Sequence, residues 1–152
     1  MKNQFAPCAN LPPHSEPEQL TKHRTPCSTQ SVGYSVICLK CKSEGLKTTY
    51  EGETGRSASI RTSEHITDLL KNKKDSPLVK HKNLQHKGEK DVKFTFKIEK
   101  VFQDPLTRQC NEGVRIKNAT KSSKIMNSKS EINHPPTNRI TIHRGHQNYV
   151  KD

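Results

Sequence analysis

The chain has 152 residues, 28% of them hydrophobic and 5% aromatic, which suits one domain with a thin core. Its 27 basic and 15 acidic residues leave a net charge of +12, a field suited to polyanions and salt-dependent nucleic-acid binding rather than to a small-molecule substrate. No stretch approaches the ~18 apolar residues of a membrane span, and residues 1–20 carry prolines and acids where a signal peptide would be apolar.

Residues 1–30 hold five of the nine prolines (Pro7, Pro12, Pro13, Pro17, Pro26) and no periodic apolar pattern, so they are expected to form a flexible leader. Residues 32–38 and 46–52 are short strand-type runs with Gly45 between them, a hairpin with a long loop. The period changes over residues 57–70. Ile60, Ile66, Leu69 and Leu70 can share one helix face, while Arg61, His65 and Asp68 line another.

Ser76-Pro77 opens a second helix that stops before Gly88, and residues 92–98 alternate apolar and polar as a strand does. Asp104-Pro105 repeats the helix-start signal. Leu106, Cys110, Gly113 and Val114 give this third helix an apolar stripe, with Arg108, Glu112 and Arg115 facing elsewhere. Beyond Asn118 the composition turns to Lys, Ser and Asn, and Pro135-Pro136 breaks any regular structure there. The order β-β-α-α-β-α predicts an α/β (α+β) fold, a small three-stranded antiparallel sheet flanked by helices. The domain is placed at residues 31–120, between the leader and a basic polar C-terminal extension over 121–152.

Cys38 and Cys41 have the x2 spacing with which two thiolates grip one tetrahedral zinc. His81 and His86 have the spacing of the histidine half of such a site, and the 39 residues between Cys41 and His81 exclude a free-standing finger. If the four meet, zinc ties the hairpin to the second helix; otherwise they are a buried thiol pair and two solvated histidines. Five cysteines without a secretion signal argue for reduced thiols in an intracellular, nuclear compartment. Cys8, His14, His23 and Cys27 offer a second zinc site at irregular spacings, with free thiols as the alternative.

From Tyr34 to His65 the chain reads Y-S-V-I-C-L-K-C, then eight residues, then Y-E-G-E-T-G-R-S-A-S-I-R-T-S-E-H. This stretch resembles the core of GIY-YIG endonucleases, in the cysteine-bearing form found in Penelope-like retroelements. Val32-Gly33-Tyr34 corresponds to the first named motif and Tyr50-Glu51-Gly52 to the second. Glu51 stands where the family has an apolar residue, and a charge there is expected to point out of the sheet or sit at its rim. The resemblance covers roughly residues 27–142.

It implies a metal-dependent DNA endonuclease in which Tyr34, with Tyr50, positions or deprotonates the attacking water. Arg61 clamps the phosphate, His65 hydrogen-bonds a tyrosine or relays a proton, and Gly52 keeps the motif's glycine. Glu112 becomes the ligand of magnesium or manganese, and Asn127 falls where family members carry an active-site asparagine. The chemistry of the side chains agrees: guanidinium suits phosphate clamping, and magnesium accepts a single carboxylate while keeping its waters. Two rivals stand beside this reading. One is a zinc-stabilised nucleic-acid-binding module without catalysis; the other is a decayed retroelement fragment.

Overall fold

The structure is a computed structural model that describes residues 5–6, 27–87, 89 and 91–133. Its centre is an antiparallel trio: β2 (Gln30–Cys38) runs between β3 (Thr48–Ser57) and β4 (Phe94–Val101). The sheet is larger than the three antiparallel strands expected. Two-residue strands β1 (Phe5–Ala6) and β5 (Lys124–Ile125) add in parallel to β4 and β3, giving the mixed order β1-β4-β2-β3-β5. Elements of two residues leave no periodicity in a sequence, so neither edge is readable from residue order.

The helices differ from expectation in what they bury. Between β2 and β3 lies α1 (Leu39–Ser43), a single turn in place of a plain loop. Helix α2 (Ala58–Leu70) starts at Ser57, whose side chain accepts from the Ile60 N–H at 3.4 Å. Its buried face is Ala58, Thr62, His65 and Leu69, at helical spacing, while Ile60 and Leu70 are exposed. Helix α3 (Pro77–Gln85) begins at proline, as the sequence indicates, and ends at His86. Val32, Tyr34, Val36 and Cys38 of β2, with Phe94 and Phe96 of β4, form the front of the core with α2 and α3.

Helix α4 (Pro105–Ser122) is capped by Asp104, which accepts from the Thr107 N–H at 2.7 Å. It covers the back of the sheet with Gly113 of the expected stripe, but also with Arg108, which the sequence placed outside. Arg108, Gly113 and Ile116 are buried, while Leu106 and Val114 of the expected apolar stripe are exposed. The reason lies in the strands. Glu51 and Glu53, two apart, share the back face of β3, and Arg108 and Arg115, seven apart, share one face of α4. Arg115 pairs with Glu51 and donates to Ser35 Oγ at 3.2 Å; Arg108 pairs with Glu53 and donates to Ser31 Oγ at 2.8 Å. Gly33 leaves the space this needs, because a Cβ there would stand 2.7 Å from the Arg115 guanidinium.

Glu51 is therefore buried rather than at the rim, and its burial is tolerable because Arg115 compensates the charge. Arg115→Ala would strand a buried carboxylate. It should cost about 3–5 kcal/mol, seen as a lower urea midpoint with an unchanged slope. A loss below about 1 kcal/mol, the range of surface pairs, would mean that water reaches the pair.

The chain continues past α4 through β5 into α5 (Lys129–Asn133). Cys27 is disulfide-bonded, which corrects the expectation of reduced thiols at that position. A cystine sulfur has no thiolate to offer a metal, so Cys27 is not available to the second zinc site. Cys8, His14 and His23 of that site lie outside the described residues. Among the described residues no helix is long and apolar enough to cross a membrane.

Candidate functional site

Two constellations stand on the front of the sheet. The first is built on Tyr34, whose register partner on β3 is Gly52. With no side chain at Gly52, the fully buried Tyr34 ring lies across β3, and a Cβ there would meet the ring at 2.5 Å and its hydroxyl at 2.6 Å. Phe96 stacks on the ring at 4.4 Å, and Tyr50 sits 6.3 Å from it. The hydroxyl thus reaches α2, where Arg61 and His65 are one turn apart.

The hydrogen bonds have one sensible direction. Arg61 Nε has only a proton to give, and it donates to the Tyr34 hydroxyl at 2.9 Å. The phenol's own proton is then directed to His65 Nε2, 3.0 Å away. Burial holds both groups neutral: it pushes the Tyr34 phenol up to about 12, against the opposing charge of Arg61, and pulls His65 down to about 3. Burial opposes the Arg61 charge too, but the Tyr34 phenol and Glu64 outweigh it and keep the guanidinium protonated. The resting chain is Arg61⁺ to Tyr34–OH to neutral His65. Tyr50 closes the cluster, its ring edge-on to His65 at 5.6 Å and its hydroxyl donating to Glu131 at 3.4 Å.

Glu112 comes from α4, on the other side of the sheet, yet its charge reaches both phenols and raises them, after the larger effect of burial. It is half-buried, one turn from Arg108. Arg61 and His65 come from α2 on the front of the sheet and Glu112 from α4 on its back, so the tyrosine pair feels Glu112 as a charge. Asn127 sits deeper than a solvent-facing active-site amide would. Its side chain accepts from the Glu51 N–H at 2.9 Å and donates to the Glu51 carbonyl at 2.8 Å. It acts as one rung of an absent neighbouring strand, closing the β3 edge next to Tyr50.

Gly52→Ala tests the dependence of this cluster on one missing methyl. Displacing the ring should lower stability by about 1–3 kcal/mol, the usual cost of overpacking. The Tyr34–His65 contact should open with it, visible as a shifted His65 imidazole resonance. Unchanged stability and an unchanged resonance would show that the ring has slack.

The second constellation is a Cys/His cluster that could hold a metal ion. Cys38 ends β2, Cys41 lies in α1, His81 in α3 and His86 at its C-terminus; all four are buried, and their ligand atoms lie within 4.8 Å of one another. Cys38 Sγ is 3.4 Å from His86 Nε2, and Cys41 Sγ is 3.5 Å from His81 Nε2 and 3.3 Å from His86 Nε2. A tetrahedron with arms of ~2.0–2.3 Å has edges of roughly 3.3–3.8 Å, so these three separations match one small ion, and separations of up to 4.8 Å need only a small inward adjustment. Burial pulls His81 down to about 4, which keeps its lone pair available. Burial pushes the Cys38 thiol up to about 11, a cost that a bound cation reverses.

The residues that sequence reasoning missed are Arg115 and Glu51 as a buried pair, and Arg56 and Glu64 beside Arg61. Matching charge spacings, seven on α4 and two on β3, were the available signal for the buried pair. Comparison with protein-family models, curated proteins and solved structures finds no match to this chain.

Proposed function

We propose that this protein is a metal-dependent DNA endonuclease of the GIY-YIG type, similar to that of Penelope-like retroelements, with a structural zinc. The observation that carries the reading is the hydrogen-bonded chain Arg61–Tyr34–His65. A packing role for Tyr34 explains its buried ring. It does not explain a guanidinium donating to the hydroxyl while a buried neutral imidazole accepts from it.

In this reading the Tyr34 oxygen holds the attacking water in line with a scissile phosphate. As the water gives up its proton to Tyr34, the phenol proton moves along the existing hydrogen bond to His65 Nε2. Tyr50 keeps the imidazole edge in place. Arg61 supplies fixed positive charge to the non-bridging oxygens as negative charge builds on them. Glu112 would hold magnesium or manganese, which would supply Lewis acidity for departure of the 3′ oxygen. Zinc is the ion of choice for the Cys38, Cys41, His81 and His86 set, since two thiolates and two imidazoles in a closed buried site match its structural coordination. The net charge of +12 holds the DNA in a sequence-tolerant, salt-dependent manner.

The test is the product. Supercoiled plasmid incubated with protein and magnesium should become open circles that DNA ligase reseals, because expulsion of the 3′ oxygen leaves 3′-hydroxyl and 5′-phosphate ends. Nicks that ligase cannot reseal would move the leaving group to the other oxygen and away from Glu112.

A further inference from the structure

The proposed phosphate clamp is already holding an anion, and that anion is one of the protein's own side chains. Glu64 lies one residue before His65 on α2, and its two carboxylate oxygens go to two different arginines. Oε2 takes Arg61 Nη1 at 2.8 Å, and Oε1 takes Arg56 Nη1 at 2.5 Å. Arg61 thus divides its guanidinium, with Nε on the Tyr34 hydroxyl and Nη1 on the carboxylate. A phosphodiester presents the same pattern as this carboxylate, two equivalent anionic oxygens, each able to take one guanidinium N–H.

We infer that Arg56 and Arg61 form a two-arginine phosphate site in which Glu64 is a stand-in, displaced when a nucleic-acid backbone phosphate enters. The site rests on the nuclease reading only for the name of the ligand's parent. Its shape is read from the bridged geometry.

Three features support displacement over a fixed structural role. Glu64 and Arg56 are solvent-exposed to 35% and 59% at the side chain, so their pairing is screened and cheap to break. The Glu64 carboxyl is held below its usual range chiefly by the hydrogen bond from Arg61, so it remains an anion and competes with phosphate charge for charge. Arg56 comes from the end of β3 and Arg61 from the first turns of α2, so separate elements set the spacing of their backbones, and Tyr34 still holds the Arg61 guanidinium when Glu64 leaves. Ile60, Ser63 and Thr67 continue the same open hollow along α2, giving the backbone a surface to track.

A stand-in has a distinctive signature: removing it improves binding, and the gain requires both arginines. The measurement is the affinity of a fluorescently labelled duplex of about 20 base pairs for intact, zinc-loaded protein at fixed low salt in buffer with magnesium and manganese withheld, where no cleavage occurs. Glu64→Gln should tighten binding about fivefold, and Arg56→Ala should weaken it by a similar factor. In the Arg56→Ala background the Glu64→Gln gain should shrink to about twofold or less, because the second arginine is gone.

An equal gain in both backgrounds would mean that Glu64 acts only through general charge, and the inference falls. Weaker binding by Glu64→Gln would make the residue a positioning group for Arg61, which also overturns it. Nicking assays on the same proteins separate this from the nuclease reading. A coupled gain in affinity without nicking keeps the phosphate site and removes the nuclease; nicking without the coupling does the reverse.

Discussion

Removing the metal from the Cys38, Cys41, His81 and His86 centre is expected to unfold the domain. Helix α3 buries only Leu78, Val79 and His81, too little apolar surface to hold nine residues against their conformational entropy. An ion in this cluster would supply the tie between α3 and the β2–α1 corner. Binding energies of structural zinc, about 10–16 kcal/mol in small domains, equal or exceed the ~5–15 kcal/mol by which a whole domain is stable. Purified protein should contain one zinc per chain, and chelator should abolish the cooperative thermal transition. Cys41→Ser should behave as the chelated protein does. Metal-free protein with the same melting curve would show that the four residues form an ordinary polar cluster.

The second large effect lies at Glu112. Glu112→Gln should abolish nicking while leaving duplex affinity within about twofold, since a carboxylate contributes nothing favourable to phosphate contact. Arg61→Ala should retain some activity and lose rate by about 10²–10³-fold, the range for deleting one preorganised charge stabiliser. The two variants thus divide the site into a metal-holding part and a charge-holding part. Single-turnover rates at saturating protein measure both without interference from binding. Equal rates for wild type and Glu112→Gln would mean that cleavage proceeds without this carboxylate.

Some of the fold and site is readable from residue order and some is not, for physical reasons. Strand β4 is legible because Phe94, Phe96 and Ile98 alternate toward one side. The helix starts are legible because Ser76-Pro77 and Asp104-Pro105 carry backbone constraints independent of tertiary contacts. The Cys and His spacings point to a metal centre because chelation needs few residues at short range. Composition alone ends strand β3 at Gly52, because Gly52, Thr54 and Gly55 look like a turn. They belong to a strand because the glycines make room for Tyr34 on the front and Arg108 on the back.

Helix α4 presents a different face from the one expected, for a related reason. Periodicity assigns its most apolar stripe inward, but the sheet's back face carries Glu51, Glu53 and Ser35. Arginines are needed there, and Leu106 and Val114 are left to solvent. Hydrophobic pattern reads one element at a time. Which face is buried depends on the partner surface, and α4 meets a charged one.

Nicking of a DNA-bound plasmid is the measurement that bears most directly on the central claim. Supercoiled DNA is held at protein concentrations that bind it fully, and magnesium or manganese is then titrated in, with a control from which both are withheld. The account predicts open circles that appear with the metal, do not form when magnesium and manganese are withheld from the zinc-loaded protein, and are absent for Tyr34→Phe at the same occupancy. Supercoiled plasmid left intact across both titrations, with binding maintained, would contradict it and leave a zinc-stabilised DNA-binding module in its place.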